Sequence, residues 1–136
     1  AIGLAQLDKL PEAHRCRKHI VERYIDAFKD IDGLIIPFVN QADTEPVYHI
    51  FPTMLPEGMD RMQVIEILKR EGVQSSIHYP MMQDFSAFKD YKLDETPLAR
   101  SISTRELTLP LYPTMTDEEV DIVIAAFRLA LQEARK

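Results

Sequence analysis

Apolar positions begin at once. Ile2, Leu4, Ala5, Leu7 and Leu10 come early, with no Ser, Thr, Asp or Asn ahead of them to cap a helix. That is the pattern of a helix entered midway, so residues 1–10 are expected to end a helix that continues from a preceding domain. Pro11 then stands where a first helical turn tolerates a missing N–H. Ala13, Cys16, Ile20, Tyr24, Ala27 and Ile31 follow at three- and four-residue steps, one apolar stripe on a long helix, and Asp32-Gly33 is expected to end it. The opposite face carries His14, Arg15, Arg17, Lys18 and His19, a basic run that reads as a solvated helix face.

Further along, the pattern turns to extended segments. Residues 34–39 are β-rich but hold Pro37, which predicts a short or edge strand. Residues 40–46 read as a polar loop. Residues 47–55 form a better strand, with Pro52 pointing to an edge or a bulge. Asp60 with Gln63 resembles a capping box opening a helix whose core face holds Ile65 and Leu68, and Gly72 suits a left-handed stop. A third extended segment covers 74–79. Short helical pieces are expected at 85–91 and 98–106, and a strand at 107–109. Thr116 caps a last helix, with Asp117, Glu118 and Glu119 in its first turn and Val120, Val123, Ile124, Phe127 and Leu131 on its apolar face. Helices on one side of a small, largely antiparallel sheet make an α+β fold, and 136 residues suit a single domain over 1–136.

Composition narrows the function classes. With 46% hydrophobic and 28% charged residues the chain is of ordinary globular make-up. A formal net charge of −6 argues against nucleic acid as a partner, and no apolar run reaches membrane-span length. The first seven residues lack the basic flank of a signal peptide. Cys16 is the single cysteine, so no internal disulfide forms, and a cytoplasmic location is expected.

The usual catalytic signatures are missing: no G-x-G-x-x-G, Walker loop, G-x-S-x-G or H-E-x-x-H. The histidines and the cysteine show no zinc-ligand spacing, so no metal site is expected. The most pointed stretch is Ser75-Ser76-Ile77-His78-Tyr79-Pro80. Alternation puts Ser76 and His78 on one face and Ile77 and Tyr79 on the other. At the end of a strand His78 is able to bind an anion or shuttle a proton. The plainer reading is a half-buried histidine bonded to a backbone carbonyl. His49 is a weaker candidate on its own strand. Tyr112 reads as an aromatic packed in a turn with its hydroxyl bonded, and Met81-Met82 as filler of irregular apolar space.

Four segments, in order, resemble the DegT/StrS family of sugar aminotransferases. They are Ala1-Ile2-Gly3-Leu4-Ala5-Gln6-Leu7, Tyr48-His49-Ile50-Phe51, Gly72 through His78-Tyr79-Pro80, and Leu109-Pro110-Leu111-Tyr112-Pro113 running on to Val120. The resemblance implies the small C-terminal domain of a fold type I enzyme, the aspartate-aminotransferase type. Such an enzyme is a homodimer in which a large N-terminal domain holds pyridoxal 5′-phosphate (PLP) on a lysine. It moves an amino group, commonly from glutamate, to a keto sugar carried on a nucleotide. By the same resemblance His78 and Tyr79 line the substrate side, with His49 and Gln83 as further contacts. Gln83 holds a place where the family often has a histidine, and glutamine takes no positive charge.

None of Lys9, Lys18, Lys29, Lys69, Lys89, Lys92 and Lys136 matches the family's Schiff-base position, which is expected upstream of Ala1. The resemblance therefore implies that the chain carries no catalytic lysine and no cofactor-binding residue, and is inactive by itself. Two other readings stand beside it: a PLP-dependent sugar dehydratase of the same family, with histidine in place of that lysine, and a non-catalytic stand-alone binding module.

Overall fold

Strands β1 (Phe51–Met54) and β2 (Glu106–Leu109) pair antiparallel, with Phe51 opposite Leu109 and Thr53 opposite Leu107. Side chains alternate across a strand, so Phe51, Thr53, Leu107 and Leu109 share one face and Pro52, Met54, Glu106 and Thr108 the other. Single antiparallel bridges widen the sheet on both sides, Ile35 to Met54 and Ser76 to Thr108. The protein is known here from a computed structural model, which describes residues 2–39, 44, 46–91 and 94–134.

The first face of the sheet is the core. It packs against α1 (Ile2–Phe28), α2 (Arg61–Arg70) and α4 (Asp117–Glu133), whose buried residues join the strands' in one cluster. Tyr24 sits 4.9 Å from the ring of Phe51 and 5.8 Å from that of Phe28, and Phe28 meets Phe127 edge-on at 5.1 Å. Burying side chains of this size contributes about 1.5–3 kcal/mol each. Ion pairs and a hydrogen bond tie the last turns of α1, and the residues just after it, to α4. Arg23 donates to Asp117 at 2.7 Å and to Asp121 at 2.5 Å, while Arg128 reaches the Ala27 carbonyl and the Asp30 carboxylate. The fourth helix, α3 (Pro97–Arg105), leads directly into β2. Their junction is held by Arg61, which donates to the Ser103 and Glu106 carbonyls, and by Arg105, which donates to that of Leu55.

The α+β class, the last helix and its Thr116 cap agree with the sequence reading, and the structure completes that cap as a reciprocal box with Glu119. Gly72 agrees too, at φ 80° just past α2. Other elements differ. Residues 2–28 are one helix with Pro11 inside it, because Ala13 through Phe28 continue the turns that Ile2 begins. That helix ends at Phe28, ahead of Asp32-Gly33. Its buried stripe is Ile20, Val21, Tyr24 and Phe28, with Ala27 and Ile31 partly covered. The Asp60 cap accepts from Met62, one residue short of a capping box. In α2 Val64 and Leu68 are buried and Ile65 partly so. Residues 85–91 hold a 3-10 turn, Ser86–Phe88, after another at Met82–Asp84.

The expected strands are cut short for local reasons. Tyr48 at φ 49° interrupts 47–55 before Phe51, and Phe38 at φ 66° ends 34–39 after the Ile35 bridge. Pro52 lies in β1, an edge strand of the two-stranded sheet, as its proline suggested, with its nitrogen on the outer side where only Met54 is bridged. Its partner Thr108 directs its backbone N–H and C=O to Ser76, so a residue without an N–H is tolerated opposite it. The loop expected at 40–46 falls mostly outside the described residues.

Candidate functional site

The second face of the sheet carries polar side chains that are nonetheless buried, so each needs a partner. Glu106 and Thr108 are each 4% exposed. The Ser76–Thr108 bridge lays residues 76–78 alongside β2. Continued one step, the ladder would send the His78 N–H to the Glu106 carbonyl. It goes to that residue's side chain instead, donating to Oε2 at 2.7 Å. The other carboxylate oxygen, Oε1, accepts from the Thr108 hydroxyl at 2.5 Å, and Thr108 Oγ1 lies 2.9 Å from His78 Nδ1. This diversion is why the third extended segment makes one bridge and then stops. His78 is half-buried, as the plainer reading had it, but its ring is held by a hydroxyl, not by a backbone carbonyl.

Beside this cluster opens a cleft of about 650 Å³ between residues 72–78, the β2 exit and the start of α4. His78, His49, Ser76, Tyr112 and Glu119 bring polar groups to it, and Ser75 Oγ is buried there without a protein partner. The cleft floor is fixed from below: Tyr24 donates its hydroxyl to the Pro110 carbonyl at 3.0 Å, and burial pushes that hydroxyl's pKa well above its usual value. At the start of α4 the Asp117 carboxyl is held below the usual carboxylate range by its bond to His19 and by Arg23.

Of the four residues singled out in the sequence, His78 and His49 line this cleft together. Tyr79 stands outside it, 74% exposed, with its ring edge-on to His78 at 5.0 Å. Gln83 lies elsewhere, donating to Thr96 Oγ1 at 3.0 Å beside a separate cavity of about 410 Å³. Tyr112 is 43% exposed and lines the cleft, where a packed aromatic was expected. Met81 is buried but Met82 is exposed. Glu106 and Thr108 were missed. Starting the strand at 107 left out Glu106, although polar and apolar residues alternate from Glu106 to Leu109, the mark of a strand with a second, polar face.

Among the described residues no cluster of His, Cys, Asp and Glu is arranged to hold a metal, and no helix is long and apolar enough to cross a membrane. An aldehyde cofactor held as a Schiff base needs a desolvated lysine. Lys9, Lys18, Lys29, Lys69 and Lys89 are all exposed, and none of them lines the cleft. Lys92 and Lys136 lie outside the described residues. The side chains described here therefore do not fit a Schiff-base site by themselves.

Helices on one face of a short antiparallel sheet, with a cleft at its edge between residues 72–78 and the start of α4, define an α+β domain of the kind found in aminotransferases. The chain belongs to the DegT/DnrJ/EryC1/StrS aminotransferase family, whose sequence profile matches residues 1–128. It is 36% identical to the spore coat polysaccharide biosynthesis protein SpsC of Bacillus subtilis, over 94% of this chain and 34% of that protein. It is 31% identical to a dTDP-4-dehydro-2,3,6-trideoxy-D-glucose 4-aminotransferase of Saccharopolyspora spinosa, over 97% of this chain and 34% of the relative. Among solved structures, Spr1654 of Streptococcus pneumoniae in its PMP form superposes with a TM-score of 0.89 at 31% identity, covering 97% of this chain and 34% of that one. The same protein has been solved in a PLP form. The chain thus spans about a third of the length of the relatives it matches.

Proposed function

We propose that this chain is the C-terminal small domain of a PLP-dependent aminotransferase that moves an amino group from an amino acid, glutamate in the first instance, to a nucleotide-linked keto sugar. The observation that carries the proposal is the imidazole of His78, anchored by a buried carboxylate and hydroxyl at the edge of a cleft, in a chain of this family. PLP, when bound, carries the amino group between donor and acceptor. In this reading the cofactor and its lysine belong to a large domain preceding Ala1, so the chain alone does not transaminate. The complete enzyme is a cytoplasmic homodimer.

The part left to these residues is to bind and orient. His78 and His49 offer ring nitrogens to the sugar from one cleft, while Tyr79 and Gln83 reach the substrate from outside it once the large domain is in place. Exposed Leu4 and Leu7, one turn apart on α1, are on the face that the large domain covers.

The test is His78→Ala in the complete enzyme. Losing a hydrogen bond to a strongly polar group costs about 1.5–3 kcal/mol, or roughly 10- to 150-fold in kcat/KM, with the cofactor still bound. Cofactor occupancy, Tm and kinetics are measured on one preparation. A lowered Tm with unchanged kinetics would make His78 a structural residue and end the proposal.

A further inference from the structure

The bonds around Glu106 leave few ways to place the protons. A carboxylate only accepts, and a threonine hydroxyl has one proton to give. Glu106 Oε2 accepts from the His78 backbone N–H, and Oε1 lies 2.5 Å from Thr108 Oγ1. Thr108 therefore gives its proton to Glu106. Its oxygen, 2.9 Å from His78 Nδ1, is left only lone pairs for the ring, so the contact closes only if Nδ1 carries hydrogen and donates. In the neutral imidazole the other nitrogen, Nε2, is then bare.

We infer that Glu106 and Thr108 are positioning residues that fix the Nδ1–H tautomer of His78 and so present Nε2 to the cleft as a hydrogen-bond acceptor. The ligand group that this nitrogen takes is an O–H or N–H donor. A carboxylate or phosphate oxygen, having no proton to give, is disfavoured against the neutral ring. With His78 as a substrate contact, the donor is a hydroxyl of the sugar. Only the identity of the ligand rests on that proposed role, because the tautomer is a property of the chain without any ligand.

The tautomer is read directly from the ¹⁵N shifts of the ring in long-range ¹H–¹⁵N spectra, recorded on this chain above the pH at which the His78 signals titrate. A bare imidazole nitrogen resonates far downfield of a protonated one. The expected result is a downfield Nε2 and an upfield Nδ1. The opposite order in the wild type overturns the inference.

Glu106→Gln gives a sharper reading. The His78 backbone N–H still needs an acceptor, so the amide oxygen keeps that place and the NH₂ group turns to Thr108. Thr108 then accepts from the amide and donates to Nδ1, and the two ¹⁵N shifts exchange places. Shifts that stay as in the wild type in Glu106→Gln remove Glu106 from the relay. Thr108→Ser keeps the hydroxyl and is expected to keep the wild-type order. Thr108→Val, close in shape, is expected to lose the Nδ1–H majority, and retention of that majority also counts against the inference. A purely structural role for Glu106 and Thr108 would change Tm in these variants without exchanging the shifts. Loss of kinetic effect in His78→Ala, by contrast, would remove the ligand and leave the tautomer standing.

Discussion

Tyr24 shows how much one side chain settles. Its ring packs between Phe28 and Phe51, and its hydroxyl ends on the Pro110 carbonyl at the cleft. Tyr24→Phe keeps the ring and removes the bond, so a loss of about 1 kcal/mol is expected. Equilibrium denaturation measures it, and a loss well under half of that would mean that Pro110 is held by its neighbours. The place of Tyr24 on the apolar stripe is legible from spacing alone. Its partner, 86 positions along the chain, is not, because periodicity reports a face and never what the face meets. The same limit hid the site. His78 and His49 are visible as histidines on extended segments, but the pairing of Thr108 with Ser76 is what brings Glu106 to the His78 backbone.

Among elements, α1 carries a local conflict. Pro11 within it lacks the N–H that a helix would direct to the Leu7 carbonyl, and its ring crowds that turn. A proline in a helix interior is about 3 kcal/mol less favourable than alanine. Because residues 2–10 bury little, the cost falls on that end alone. Pro11→Ala is expected to raise amide-exchange protection over residues 7–11 and helicity by circular dichroism, with little change in global Tm. A large rise in Tm would show that the first turns are coupled to the core.

The far end of α1 depends on charge. Its bond to Arg128 holds the Asp30 carboxyl below the usual carboxylate range. A depressed pKa stabilises the fold above the unfolded-state value, and that contribution is lost as pH falls through the folded-state value. Asp30→Asn should therefore be less stable than the wild type at neutral pH, and the difference should vanish in acid below the ordinary carboxylate range. A difference that persists there would assign the effect to packing. Helices α1, α2 and α4 were legible because each keeps a 3.6-residue apolar stripe, whereas α3 buries none of its residues. The strands were only partly legible: Phe38 and Tyr48 take positive φ without being glycine, which no composition signals.

On the scale of the whole molecule, the core and the N-terminal face behave as separate things. Ile2, Leu4 and Leu7 are 81%, 70% and 60% exposed, a patch of the kind that promotes association. The 136-residue chain alone is expected to form dimers or larger species by light scattering, and Leu4→Ser with Leu7→Ser to shift it toward monomer. A clean monomer in the parent chain would contradict this. The sheet has a different dependence. Its outer edge closes at a single residue, since Thr108 bridges Ser76 through its backbone while its side chain anchors His78. Opening that edge and dismantling the site are therefore one event. If His78 holds the substrate as proposed, a bound ligand acts as a latch on the strand, lowering the open population of residues 76–78 by the factor through which it favours the closed state.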